Sequence, residues 1–241
     1  GGIEMPAIVQ VFLVLTVLGA DGSARSWREV RSRWSRLALL GVAMVLFLGC
    51  LFSATLMVVR RESSLQAGRL AVMDGNRIRA ERLFAQAAQA DPLSPAPYTH
   101  RAALAFESWS RSAGDEAGEF AAGVAAQREA IRRDPYHFSL YAGIGSWYLE
   151  KYRRERDGDD ARQAVEALES ATGLYPYQVK LQSQLAEALA AAGQPDSAAE
   201  AAAEALSLDE INHRHGHQDK YLTPDEVERL RHVAQPKGPS Q

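Results

Sequence analysis

Apolar and polar positions divide the chain in two. Up to residue 60 the apolar residues come in unbroken runs; beyond it they recur at helical spacing among alanines and charges. The run "LALLGVAMVLFLGCLFSATLMVV" (37–59) holds no charged residue over 23 positions, enough to cross a hydrocarbon core of ~30 Å as a helix. The run "MPAIVQVFLVLTVLGA" (5–20) is interrupted only by Gln10 and Thr16. Its Pro6 suits a first helical turn, where a missing N–H costs nothing. Two transmembrane helices are therefore expected, in segments 1–20 and 37–59.

Past residue 60 one pattern recurs four times, as "AERLFAQAAQADP" (80–92), "GVAAQREAIRRDP" (123–135), "AVEALESATGLYP" (164–176) and "AAEAAAEALSLDE" (198–210). Aligned, Ala80, Gly123, Ala164 and Ala198 share a column, as do Phe84, Gln127, Leu168 and Ala202, and then Ala87, Ala130, Ala171 and Ala205. Pro92, Pro135, Pro176 and Glu210 close the unit. Offsets of four and three put these columns on one helical face, and small residues there let a neighbouring helix approach closely. Proline after a helix stops it.

A partner helix precedes each segment. In "FSLYAGIGSWYLEKY" (138–152), Tyr141, Ile144, Gly145 and Tyr148 make one face, with Gly145 admitting the second helix. Gly68 holds that column in the first unit, and Leu185 and Ala186 in the fourth. The segments start 43, 41 and 34 residues apart. The excess predicts solvated insertions at 108–119 and 151–160, in the turns between paired helices. Finally, "TPDEVERLRHVA" (223–234) carries Thr223, Pro224 and Glu226 in a capping-box start. It predicts one more helix, covering the end of the stack, within a segment 213–241 that also holds a linker and a tail.

Charge adds topology and excludes a partner. A formal net charge of −3 over 241 residues gives no electrostatic case for nucleic acid. Segment 21–36 carries Arg25, Arg28, Arg31, Arg33 and Arg36 against Asp21 and Glu29. That bias marks a cytoplasmic loop, and Trp27 and Trp34 suit headgroup depth. Everything after residue 60 is then expected outside the cytoplasm, with the lipid bilayer as the first partner.

Candidate chemistry is sparse. No phosphate loop, Ser-His-Asp order or cysteine metal motif occurs, so no catalytic residue, cofactor or metal is expected. The histidines His213, His215 and His217 lie between helices, where they read as solvated and not as ligands. "ERDGDD" (155–160) has a calcium-like composition but lacks the spacing and closing Glu of a calcium loop. "FLGC" (47–50) is followed by nine more uncharged residues, so Cys50 reads as part of a membrane helix and not as a lipoprotein box.

The recurring small–large–small–Pro columns resemble the tetratricopeptide repeat (TPR), a helix–turn–helix unit of ~34 residues. The resemblance covers 61–212, in units 61–94, 95–137, 138–178 and 179–212. The expected fold is all-α: two transmembrane helices, then a TPR-like α-solenoid of about four helix pairs with a C-terminal capping helix. The resemblance implies repeat packing by Ala80, Phe84, Ala87, Gly145, Ala164, Leu168, Ala171, Ala198 and Ala205. It also implies a protein-binding groove lined by Thr99, His100, Phe106, Glu107, Ser139, Glu150, Lys180, Gln184 and Glu187.

The opening "GGIEMPAIVQVFLVL", the Arg-rich loop, the second apolar helix and the repeat tail together resemble the C-terminal end of bacterial O-antigen ligase or polymerase-type membrane proteins. That resemblance implies a polytopic inner-membrane parent acting on lipid-linked glycan through an upstream part. This chain would supply a non-catalytic, periplasmic TPR tail, and its Gly1 start and first helix would be those of a fragment. A stand-alone membrane-anchored TPR scaffold is the alternative. The protein partner is open in both.

Overall fold

The computed structural model describes residues 33–111 and 117–235. The apolar run 5–20 lies outside the described residues, as does most of the Arg-rich loop. The described residues form α1 (Arg33–Met73), α2 (Arg77–Ala90), α3 (Ala96–Arg111), α4 (Ala117–Arg133), α5 (Phe138–Glu155), α6 (Gly158–Leu174), α7 (Val179–Ala191), α8 (Pro195–His215) and α9 (Pro224–Ala234). A short 3₁₀ turn, Gln218–Lys220, precedes α9.

The helices pair in sequence: the end of α1 with α2, α3 with α4, α5 with α6, and α7 with α8. Each pair packs on the next, and α9 closes against both α7 and α8. This is a one-dimensional stack in which a unit touches only its neighbours. Small residues set the approach. Ala80, Ala87, Ala102, Ala130, Ala164, Ala171, Ala202 and Ala205 are fully buried. Gly145 faces Leu168 so closely that a Cβ would lie 2.5 Å from Leu168 Cγ, and Gly68 meets the Phe84 ring more tightly still. Phe84 and Leu168 fill the large-residue column with almost no exposure, while Ala198 lies beside α7 in the last pair.

Gln127 occupies the same column as Phe84 and Leu168 but is polar. It is buried, and its Nε2 donates to the Leu140 carbonyl at 3.0 Å. Its Oε1 has no hydrogen-bond partner among the described residues. A side-chain amide thus joins α4 to α5 where its neighbours use hydrocarbon.

Two expectations are corrected. The run 37–59 and the first repeat helix are one helix: α1 passes through Arg60 and Arg61 without a break. No Pro or Gly interrupts residues 50–67, so nothing in the local sequence stops the helix. Its apolar part from Gly41 is the one stretch among the described residues long and apolar enough to cross a membrane. Large side chains there, such as Phe52 at 71% and Val45 at 70%, are exposed.

The second correction concerns the insertions. Residues 151–160 are not a solvated loop but the facing ends of two lengthened helices, separated only by Arg156 and Asp157. Asp157 caps α6, accepting from Asp159 N–H at 2.9 Å. Lys151 Nζ reaches back across the turn to Asp160 at 2.6 Å and along its own helix to Glu155 at 3.0 Å. Arg156 takes the left-handed conformation (φ 60°) that Gly75 and Gly193 supply at the corresponding turns. In the other insertion, 108–111 and 117–119 belong to α3 and α4.

Candidate partner-binding groove

The first helices of the last two pairs and the closing helix converge at the C-terminal end of the stack. There α5, α7 and α9 enclose a cavity of 380 Å³. Lys180, Gln184 and Glu187 contribute from α7, Ser146 and Arg153 from α5, and Glu226, Arg229 and His232 from α9. Leu149, Leu230 and Val233 form the apolar part of the lining. A floor of apolar side chains beneath a few polar groups that fix orientation is the usual make-up of a ligand-binding recess.

Ion pairs hold the walls. Arg153 donates to Glu187 Oε1 at 2.6 Å and to Glu150 Oε2 at 3.2 Å. Arg154 also reaches Glu150, at 3.3 Å, while its guanidinium lies 4.4 Å above the Trp109 ring. On α9, Thr223 and Glu226 form a reciprocal capping box. Burial raises the Glu226 carboxyl, but hydrogen bonds from the Thr223 backbone and hydroxyl, with Lys180 and Arg229 nearby, hold it below its ordinary value. Glu226 therefore stays anionic beside two cations.

The other residues assigned to the groove have local partners. Thr99 donates to the Pro95 carbonyl at 3.2 Å, Glu107 pairs with Arg111, and exposed Ser139 lies 2.8 Å from His137 Nδ1. Phe106 stacks on Trp147 at 4.9 Å, within a cluster that includes Trp109, Phe120 and Tyr148. Glu150 reaches the cavity through Arg153, whereas Thr99, His100, Phe106, Glu107 and Ser139 do not line it.

His100 stacks on Phe84 at 5.0 Å and accepts from Arg69 Nε at 3.2 Å. Burial lowers its pKa from 6.5, Arg69 lowers it further, and Glu62 opposes weakly. A depressed histidine contributes stability that is present above its unfolded value and lost as pH falls. Urea midpoints should therefore drop as pH falls below about 6.5, and His100→Gln should flatten that slope. An unchanged slope would refute the assignment.

Sequence reasoning did not find Arg153, Ser146 or the α9 residues. Arg153 is hidden because the charge density of 151–160 reads as a loop. The α9 residues are hidden because a helix after the last repeat reads as a cover and not as a wall. No group of three metal-capable side chains gathers among the described residues. His213 and His215 lie in the last turn of α8 and not between helices, and His213 stacks on Tyr221 and lies 3.6 Å from Asp209.

Crystal structures of MamA share this architecture. One is 20% identical with a TM-score of 0.51, covering 68% of this chain and 79% of that one. A second is 19% identical with a TM-score of 0.52, covering 64% and 81%. MamA from Desulfovibrio magneticus RS-1 (residue 41 to its end) is 14% identical with a TM-score of 0.50, covering 72% and 90%. The fold is a TPR solenoid. No family model and no curated protein matches the sequence. At these identities the likeness establishes the TPR fold alone.

Proposed function

We propose that this is a membrane-anchored adaptor whose TPR solenoid takes a protein segment into the cavity between α5, α7 and α9. The observation that carries the reading is that cavity. Lys180, Arg229 and Glu226 stand within reach of a bound chain, and Leu149, Leu230 and Val233 offer it apolar contact. The ligand is a short segment with both polar and apolar side chains; no surplus of one charge selects a uniformly acidic or basic peptide. Residues 37–59 form the anchor, in a bacterial inner membrane, and the solenoid lies on the non-cytoplasmic side.

A photo-crosslinking residue at Gln184, in native membranes, tests this. A discrete adduct is expected there and not from a crosslinker at exposed Glu204 on α8. The double charge reversal Lys180→Glu and Glu187→Lys should abolish it. Identical adducts from both positions would sink the groove reading.

One feature favours a second, more specific reading. The opening "GGIEMPAIVQVFLVL" and its Arg-rich loop suit the end of a polytopic membrane protein that handles lipid-linked glycan, with the solenoid recruiting its periplasmic partners. An antibody to 61–212 separates the two. A native band well above 26.3 kDa supports the polytopic parent, and a band at that mass removes it.

A further inference from the structure

The first helix of a TPR unit ordinarily begins at a turn, and in this chain three do. Gly145 lies seven residues past the start of α5, and Ala186 seven past the start of α7. The same offset from Gly68 falls on Arg61, inside α1. Residue 61 is therefore level with the turns that open the later units. Contacts fix this level. Arg61 Nη1 lies 2.7 Å from Asp91 Oδ2, in the turn before α3. Arg133 donates from Nε to the Pro92 carbonyl at 2.6 Å, joining the next turn to the first. Phe138 stacks on Tyr175 at 4.9 Å, joining the third. The turns at 91–94, 134–137 and 175–178 thus make one edge of the solenoid, and α1 leaves through that edge.

The end of the uncharged run, Val59, is two residues from Arg61, or about 3 Å of helix. Each turn on this edge projects an apolar or aromatic residue just after its proline: Leu93 at 71% exposure, Tyr136 at 83% and Tyr177 at 77%. These are among the most exposed large side chains described, and none fills a core. Tyrosine is enriched at membrane interfaces, where its ring meets hydrocarbon and its hydroxyl meets water.

We infer that this edge docks on the headgroup layer of the bilayer that α1 crosses, with Leu93, Tyr136 and Tyr177 as its contacts. The inference rests on the reading of 37–59 as a membrane span. Arg60 and Arg61 sit at the same level as the lipid phosphates, while Glu129, Asp91 and Asp134 balance the edge cations. Attachment is therefore through interfacial side chains and not through anionic lipid. Anchored at one end and in contact along one edge, the solenoid lies along the membrane.

The test uses the full chain in phosphatidylcholine vesicles, with Cys50→Ala and an environment-sensitive fluorophore on Tyr136→Cys, Tyr177→Cys or, on the opposite edge, Gln194→Cys. All three positions are exposed, so the replacements leave the core intact. Blue-shifted emission and quenching by brominated phosphatidylcholine are expected at 136 and 177 and not at 194. If the chain resists alkaline carbonate extraction but 136 and 177 behave like 194, the docking edge is refuted and the anchor stands. A blue shift without bromolipid quenching means that protein covers the edge, and it also refutes the proposal. Release by carbonate refutes the anchor, and the docking edge falls with it.

Discussion

Leu168→Ala will lower the unfolding free energy by about 3 kcal/mol, and adding Gly145→Ala will restore part of that loss. Leu168 is fully buried between paired helices, and its truncation leaves a void that the rigid helix backbones cannot close. Gly145→Ala alone places a methyl 2.5 Å from Leu168 Cγ. Alanine's better helix propensity favours that change by about 1 kcal/mol. Overpacking opposes it by about 1–3 kcal/mol, and a branched side chain with no exit puts the balance on the destabilising side. With the Leu168 branch gone, the Ala164 carbonyl at 3.3 Å is the remaining close neighbour of the methyl, and the propensity gain prevails. Urea unfolding of the detergent-solubilised chain, followed by tryptophan fluorescence, reads all three variants. Additive effects, or a Gly145→Ala variant more stable than the parent, would show that the helices do not meet as closely as described. Because each unit holds only its neighbours, a weakened third unit should also broaden the transition.

Lys151→Met should cost about 3 kcal/mol by stranding a buried carboxylate. Asp160 is 6% exposed, and Lys151 is its cation. The reverse change, Asp160→Asn, should cost less, because Lys151 is more exposed and keeps Glu155 at 3.0 Å. The asymmetry is the diagnostic: equal losses in the same urea assay would mean that the pair is a solvated surface contact. Burial works against the Lys151 charge, but hydrogen bonds from it to Asp160 and Glu155 prevail and raise its pKa above 10.5. A raised lysine contributes stability that is complete below its unfolded value and lost as pH rises through the folded one. The wild-type advantage over Lys151→Met should therefore persist at neutral pH and shrink only in strong alkali.

That pair also explains why part of the fold was hidden in the sequence. Repeat packing was legible because it depends on residue size at fixed offsets: alanine and glycine at 80, 123, 164 and 198 can mean little else when the column returns four times. Residues 151–160 carry four basic and four acidic residues in ten positions. Such density reads as solvent, yet Lys151 and Asp160 neutralise each other across a two-residue turn, and the helices run on to meet it. The join at Arg60 and Arg61 misled in the same way. Two arginines mark the end of an apolar run, but they do not stop a helix, and no breaker follows them. The cavity lining was partly legible. Lys180, Gln184 and Glu187 follow from repeat register, whereas Arg153 and the α9 wall depend on helix lengths that composition does not report. Gln127 could be placed in its column, but its bond to the Leu140 carbonyl appears only when α4 and α5 are brought together.

The unbroken α1 couples rotation to chain length. A hinge would let the solenoid turn freely on the apolar part of that helix. A continuous helix instead fixes its azimuth, at about 100° and 1.5 Å per residue. One residue inserted between Val59 and Arg61 would swing the cavity by more than a quarter turn about the helix axis, while four would bring it nearly back into phase. Under the anchor proposed above, the short stretch between the apolar run and the first repeat sets the angle at which the cavity faces along the membrane plane.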